Sequence, residues 1–199
     1  DNDVDPNTNN TLYASIYYGE FYKSTNGGNN FSSINTNLSP AGSGNWVTPF
    51  KCDPNTSNTI YAGFKKIWKS TNAGISWSAT SSNNISGNSN IDEFEIAPSN
   101  SNYIYALINR RIFLSTNGGS TWIDRSNNGN LSPQYNILGV DIDDTDPLHV
   151  VISCSGYNNS NKVFESTNGG QQWTNISSAL PAVPANCAQF EGGNSNGIY

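Results

Sequence analysis

The octapeptide Ser115-Thr116-Asn117-Gly118-Gly119-Ser120-Thr121-Trp122 has three close copies elsewhere in the chain. The copies begin at Ser24, Ser70 and Ser166, so successive serines lie 46, 45 and 51 residues apart. In each copy a small polar turn precedes an aromatic residue, which is Phe in the first copy and Trp in the other three. A period of this size indicates that the chain repeats one supersecondary unit of about four strands.

Short apolar segments precede every copy in the same order. Two apolar residues come directly before the serine, as in Ile112-Phe113, and a triplet such as Ile104-Tyr105-Ala106 lies further upstream. Turn-forming residues such as Asp53-Pro54-Asn55 come before the triplet. These runs are too short, too rich in β-formers and too often broken by Gly, Asn and Pro to form helices. Each unit therefore predicts four strands, the last beginning at the aromatic residue that closes the hairpin.

The repeat predicts an all-β fold, a β-propeller of four four-stranded antiparallel blades and a partial fifth. The predicted blades span about residues 1–37, 45–80, 90–126 and 136–178, and residues 186–199 form the partial one. Because both ends of the chain fall inside predicted blades, we expect part of a propeller of six to eight blades. The alternative is a four-bladed ring in which residues 186–191 complete the first blade.

The four hairpins resemble the Asp-box, or BNR, repeat, whose pattern is Ser-x-Asp-x-Gly-x-x-Trp. Propellers with this repeat include sialidases, xyloglucan-active glycosidases, sortilin-type receptors and secreted proteins of Bacteroidetes-type bacteria. This chain has Asn at the Asp position of every copy, and Phe31 stands at the first Trp position. Asn can still bond the turn amides, and the second glycine position can supply a positive φ angle. The resemblance implies peripheral, structural boxes formed by Ser24, Asn26, Gly28, Phe31, Ser70, Asn72, Gly74, Trp77, Ser115, Asn117, Gly119, Trp122, Ser166, Asn168, Gly170 and Trp173.

Composition excludes several classes of function. The net charge is −6 with nine Lys and Arg residues, which argues against a nucleic-acid partner. No apolar run approaches the ~18 residues of a membrane helix, so we expect no membrane insertion. The three cysteines are too few for a disulfide framework, although a single disulfide remains open. No His and Cys residues have zinc-site spacing, and we predict no cofactor.

The candidate ligand-binding residues follow from the turns between the second and third strands and from the loops between blades. In the resembling families, sites lie on the face that these segments build. The candidates are Tyr17, Tyr18, Trp46, Lys65, Lys66, Arg110, Arg111, Tyr135 and Tyr157. Four of them are basic and belong to two neighbouring turns, which predicts a basic patch with aromatic edges for an acidic glycan or a protein partner. The alternative is that these charges only keep short turns soluble.

A second candidate site is the acidic segment formed by Asp141, Asp143, Asp144 and Asp146. Carboxylates at this density are the ligands that Ca²⁺ prefers. By register, however, the segment is the ordinary turn between the first and second strands, like Asp53-Pro54. It is therefore a weak calcium candidate.

Taken together, these patterns favour a non-catalytic binding or scaffold propeller of a secreted or cell-surface bacterial protein. Its partner would be a glycan, a protein or the remaining blades of the same parent protein. The alternative is part of a glycoside hydrolase, closer to a xyloglucanase than to a sialidase. A sialidase needs three arginines that converge on the substrate carboxylate, whereas this chain has only Arg110, Arg111 and Arg125, two of which are adjacent. Asp92, Glu93 and Glu20 could serve as carboxylates, but nothing in the sequence pairs them. A sortilin-like peptide receptor is a third hypothesis.

Overall fold

The computed structural model describes residues 2–6, 8, 10–132, 134–157, 160–178, 180–181 and 183–199. Within these ranges the chain forms four four-stranded antiparallel sheets and one two-stranded sheet. A short 3-10 turn at Tyr17–Gly19 is the one helical segment of the described residues. The all-β prediction is confirmed.

Each four-stranded sheet is a meander in which strands adjacent in sequence are paired. Sheet 1 consists of β1 (Asn2–Val4), β2 (Leu12–Ser15), β3 (Phe21–Ser24) and β4 (Ser32–Ser33). Sheet 2 consists of β5 (Phe50–Cys52), β6 (Ile60–Gly63), β7 (Ile67–Ser70) and β8 (Ser78–Ala79). Sheet 3 consists of β9 (Glu93–Ile96), β10 (Ile104–Ile108), β11 (Arg111–Ser115) and β12 (Ile123–Asp124). Sheet 4 consists of β13 (Asn136–Ile142), β14 (Val150–Ser155), β15 (Val163–Ser166) and β16 (Thr174–Asn175). The two-stranded sheet pairs β17 (Phe190–Glu191) with β18 (Asn194–Ile198).

The first strands of the four sheets lie side by side, β1 against β5, β5 against β9, and β9 against β13. One charged residue occupies the same register position on each of these strands. These residues are Asp3, Lys51, Glu95 and Asp141, opposite Tyr13, Tyr61, Tyr105 and Val151. Lys51 and Glu95 form an ion pair between sheets 2 and 3. The inner edge of the fold is therefore a row of charges, whereas the second strands are apolar.

The hydrophobic core lies between the sheets. The second strands contribute most to it, and β10 is buried along its whole length. Such strands contact a neighbouring sheet on both faces, which explains their consecutive apolar residues. The three cysteines are free thiols. Cys52 and Cys154 are buried and Cys187 is exposed, so the disulfide left open by the sequence does not form.

The four Ser-Thr-Asn hairpins share one hydrogen-bond pattern. In the third, the Ser115 hydroxyl accepts a hydrogen bond from the Gly119 amide at 2.8 Å and a longer one from the Asn117 amide at 3.3 Å. The Asn117 side-chain oxygen accepts from the Thr121 amide at 2.9 Å. Gly118 and Gly119 have φ angles of 65° and 88°, a left-handed pair that glycine adopts at little cost. These contacts order the turn of each hairpin.

The aromatic residues that close the hairpins also join neighbouring sheets. The indole N–H of Trp77 donates to the Ile34 carbonyl at 3.0 Å, and that of Trp173 donates to the Arg125 carbonyl at 3.1 Å. Both acceptors follow the last strand of the preceding sheet. Trp122 instead donates to a carbonyl of its own hairpin. Two of the three tryptophans therefore act as hydrogen-bonded links between sheets.

Candidate functional site

Three exposed aromatic side chains form a cluster that we call the aromatic platform: Tyr17, Tyr18 and Trp46. Tyr17 stacks on Trp46 with ring centroids 5.5 Å apart and planes 24° apart. Tyr18 meets Trp46 edge-on at 5.5 Å. The exposed fractions are 51%, 44% and 66%, respectively. Tyr17 and Trp46 also line a recess of about 190 Å³ together with Ile16 and Val47. The platform thus offers ring faces to solvent in a fixed arrangement.

The backbone around Tyr18 fixes this arrangement. The Tyr18 amide donates to the Asn45 carbonyl at 3.2 Å, and the Gly44 amide donates to the Tyr18 carbonyl at 3.1 Å. Tyr18 has a φ of 61°, a conformation that costs a non-glycine residue about 1–2 kcal/mol. Next to it, Gly19 packs so tightly that a Cβ atom would lie 2.5 Å from the Phe64 ring. The turn is therefore held in a strained shape against the loop that carries Trp46.

A chain of hydrogen bonds leads away from the platform. The Asn45 side-chain amide donates to the Ile91 carbonyl at 3.1 Å and to the Asp92 carboxylate at 3.4 Å. The other oxygen of Asp92 accepts from the Asn109 amide at 2.8 Å. This chain ends in the turn between β10 and β11, which carries Arg110. Residues far apart in sequence thus share one face.

A cavity of about 330 Å³ lies at that turn, between sheets 3 and 4, and we call it the inter-sheet cavity. Its lining combines carboxylates, a guanidinium, amides and aliphatic side chains. The lining residues are Asp92, Glu93, Leu107, Asn109, Arg110, Asn136, Ile137 and Leu138. Burial, followed by repulsion from Glu95, raises the pKa of Glu93 to about 7. The cavity therefore contains a carboxyl group that can hold a proton near neutral pH.

Irregular backbone shapes both sides of the inter-sheet cavity. Asn109 and Arg110 have φ angles of 52° and 65°, a pair of left-handed residues at which Asn-Gly is the favoured sequence. On the other side, the pairing of β13 with β14 shifts register between Ile137 and Gly139. Leu138, in between, is 38% exposed and lines the cavity. Bulges of this kind redirect side chains and recur beside functional sites.

The predicted basic patch is only partly assembled. The Lys66 ammonium donates to the Ser82 carbonyl at 2.7 Å. Arg111 forms an ion pair with Asp124 and lies over the Phe113 ring at 5.0 Å. These two cations are thus engaged within their own part of the fold. Lys65 is exposed and lies outside the platform and the cavity, so Arg110 is the member of the four that reaches the cavity.

The two remaining aromatic candidates lie elsewhere. Tyr135 stacks on the buried ring of Phe164, with centroids 5.4 Å apart and planes 26° apart, so it belongs to the edge of the core. Tyr157 is 79% exposed but takes no part in the platform. Asn158 and Asn159, which follow it in the predicted long turn, lie outside the described residues.

The four aspartates of the calcium candidate are directed at separate backbone amides. The acceptor–donor pairs are Asp141 with Phe190 at 2.8 Å, Asp143 with Thr145 at 2.7 Å, Asp144 with Gly193 at 3.3 Å and Asp146 with Leu148 at 2.9 Å. Within the described ranges, no group of three or more His, Cys, Asp or Glu side chains is placed to hold a metal ion. The structure therefore uses these carboxylates to order turns and to join sheet 4 to the two-stranded sheet.

Comparison with solved structures identifies the architecture. The GH74 enzyme of Niastella koreensis matches 98% of this chain with a TM-score of 0.69 at 22% identity. The fold is a β-propeller. An ancestral GH74 enzyme matches 88% of the chain (TM-score 0.63, 24% identity), and YCF48 from Cyanidioschyzon merolae matches 92% (TM-score 0.61, 16% identity). The propeller chain spans 35%, 23% and 61% of these three proteins, respectively.

Similarity at the level of sequence is much weaker than the structural likeness. No family model and no curated protein matches the propeller chain. Identities below a quarter establish the fold and leave function to the site itself. Among the described residues, no helix of the propeller is long and apolar enough to cross a membrane.

Proposed function

We propose that this chain is a non-catalytic binding propeller that recognises a glycan through the aromatic platform. The observation that carries the proposal is the exposed, mutually stacked arrangement of Tyr17 and Trp46, with Tyr18 edge-on beside them. Tyr and Trp have large rigid apolar faces together with a polar tip, which suits them to sugar rings that expose both C–H and O–H groups. No charged side chain belongs to the platform.

The energetic cost of building the platform supports a functional origin. Two-thirds of the Trp46 surface is exposed, so this side chain contributes little to the core. Tyr18 also keeps a left-handed backbone that a glycine would adopt without strain. Strain maintained by surrounding hydrogen bonds is typical of binding sites. A protein partner would favour the same surface, and binding of a protein without any glycan binding would replace the glycan proposal.

We further propose that the four hairpins are Asp-box repeats with Asn in place of Asp. The support is the hydrogen-bond pattern of the turn. The Asn117 side chain accepts a hydrogen bond from the amide of residue 121, the Ser115 hydroxyl accepts one from the Gly119 amide, and the same pair of bonds recurs in every copy. A secreted or cell-surface location on a bacterium completes the proposal. It rests on the low share of charged residues, 12%, and on the resemblance of the repeats to those of secreted proteins.

The second candidate function is part of a glycoside hydrolase. One observation favours it: Asp92 and Glu93 line the same cavity, and the pKa of Glu93 is raised to about 7, as a general acid requires. The structural likeness to GH74 enzymes at 22–24% identity adds only the fold. Release of reducing ends from a β-glucan, abolished by Glu93→Gln, would establish this function in place of the binding one.

The test is a glycan array followed by titration calorimetry on the whole chain. We expect Trp46→Ala and Tyr17→Ala to weaken binding of the selected glycan at least about tenfold, as loss of an aromatic anchor usually does. Ile75→Ala is the matched control, because Ile75 is 73% exposed and lies on the outer hairpin of sheet 2. Equal affinities of the Trp46 and Ile75 variants would contradict the proposal, as would turnover of the bound glycan.

A further inference from the structure

We infer that the inter-sheet cavity is a second sugar subsite, continuous with the aromatic platform, and that the ligand is a neutral oligosaccharide long enough to contact both. The inference rests on the proposed function and adds the ligand's charge and minimum reach to it. The two features have different chemistry, since the platform offers ring faces and the cavity offers hydrogen-bonding groups. Such a combination suits a chain of sugar rings better than a single small molecule.

A chain of hydrogen bonds connects the loop that carries Trp46 with the turn that carries Arg110. Trp46 follows Asn45, whose amide contacts Asp92, and Asp92 in turn holds the amide of Asn109, the residue before Arg110. A second set of bonds reinforces the connection: the Asn90 side chain donates to the Ser43 carbonyl and to the Asn45 side-chain oxygen, each at 3.2 Å. The platform loop and the cavity turn are therefore held in a fixed relation, which lowers the entropic cost of binding one extended ligand across both.

The cavity lining supplies both partners that sugar hydroxyl groups need. The carboxylates of Asp92 and Glu93 accept hydrogen bonds, and the Arg110 guanidinium donates them. Leu107 and Leu138 add aliphatic surface beside these polar groups. A hydroxyl group both donates and accepts, so neighbouring hydroxyls of one sugar ring can use carboxylate and guanidinium together.

The charges favour a neutral ligand over an acidic one. Two carboxyl groups face one guanidinium in the cavity, and Lys66 and Arg111 are held elsewhere by their own contacts. The chain as a whole carries a charge of −6. An acidic glycan would therefore meet the negative charge of Asp92, and that of Glu93 as it loses its proton near pH 7, with Arg110 as the one guanidinium among the lining residues. The inferred neutral ligand thus differs from the acidic glycan that the sequence pattern of basic turns predicts.

The substitution Arg110→Gly tests the second subsite most directly. The φ of 65° at Arg110 is strained for arginine and natural for glycine, and its side chain is exposed. Arg110→Gly should therefore leave the fold intact or stabilise it, because glycine relieves the strain of the turn. The same substitution removes the guanidinium from the cavity. Loss of affinity in a variant at least as stable as the original chain cannot be attributed to unfolding.

The experiment is calorimetric titration of the whole chain with neutral β-glucan oligosaccharides from disaccharide to octasaccharide, and with oligogalacturonates of matched length. We expect affinity to rise with length for the neutral series and to stay lower for the acidic one. Arg110→Gly should reduce affinity for the longest neutral oligosaccharide about tenfold and leave the shortest unchanged. Lys65→Ala, which removes the same charge from the equivalent turn of sheet 2, is the control.

The outcomes separate the inference from the proposal on which it rests. Absence of binding to every β-glucan oligosaccharide and oligogalacturonate would overturn the inference, and absence of binding to every glycan of the array as well would overturn the proposed function. Binding that depends on Trp46, but that is equally tight at all lengths and unaffected by Arg110→Gly, would overturn the second subsite alone. Tighter binding of oligogalacturonates would overturn the neutral-ligand claim.

Discussion

Replacing the buried hydroxyl of one hairpin serine should destabilise the fold by an amount that the structure allows us to estimate. Ser115 is 1% exposed, and its hydroxyl accepts hydrogen bonds from the amides of Gly119 and Asn117. Ser115→Ala leaves the buried Gly119 amide without its acceptor, which costs about 1–3 kcal/mol. The bond from Asn117, at 3.3 Å, adds little. We therefore expect a loss of about 2 kcal/mol in the free energy of unfolding.

Ser24→Ala is the matched comparison within the same chain. Its hairpin makes the same bonds, but Gly28 is exposed, so water can replace the lost acceptor. We expect a loss of about 1 kcal/mol or less, because the amide remains solvated. Urea denaturation of both variants measures the difference, and thermal denaturation should show a fall in Tm of about 4–8 °C for Ser115→Ala. Equal losses, or a larger loss for Ser24→Ala, would refute this account of the hairpins.

The structure also fixes the direction of two further changes in stability. We expect Gly118→Ala to cost about 1 kcal/mol of stability. Gly119→Ala should cost clearly more, because a Cβ at 119 would lie 2.7 Å from the Thr80 hydroxyl. Equal losses in urea denaturation would contradict this. Burial raises the pKa of Glu93 to about 7 from 4.5, so its favourable contribution is complete below pH 4.5 and is lost as the pH rises through 7. The free energy of unfolding should fall by about 1–3 kcal/mol between these two pH values. Glu93→Gln should make the free energy of unfolding less dependent on pH. An unchanged pH dependence in this variant would refute the raised pKa of Glu93 as its cause.

The strands and hairpins were predictable because their signals are local. The alternation of apolar triplets, turn residues and the Ser-Thr-Asn pattern repeats in register, and each sheet follows the chain without crossovers. The links between sheets were not predictable in the same way. The bond from Trp77 to Ile34 joins residues 43 positions apart, and the sequence shows only that a Trp closes the hairpin.

The candidate site shows the same division between local and distant effects. Tyr17, Tyr18 and Trp46 could be named from their turns, but their mutual stacking depends on the tertiary contact between two loops. Tyr135 was named for the same reason and instead packs on Phe164. Position in a loop does not reveal whether a ring faces solvent or the core, since that depends on the neighbouring sheet.

The charged candidate residues show a second limit of prediction from sequence. Four basic residues at two turns predict a patch only if their side chains remain free. Arg111 is the first residue of β11 and its guanidinium reaches Asp124 on the paired strand β12. The sequence names Glu93 only as one of three unpaired carboxylates and does not place it with Asn109 in a cavity, because the carboxyl group acquires its raised pKa through burial and the turn acquires its shape through Asp92.

The most direct test of the binding face is hydrogen–deuterium exchange on the whole chain with and without a saturating neutral oligosaccharide. We predict slower exchange in residues 16–20 and 44–47 of the platform and in residues 107–111 beside the inter-sheet cavity. We predict unchanged exchange in the four hairpins, which lie at the opposite ends of the sheets' third strands. Protection confined to the hairpins, or to residues 155–157, would contradict the claim that this propeller binds its ligand at the platform and the cavity.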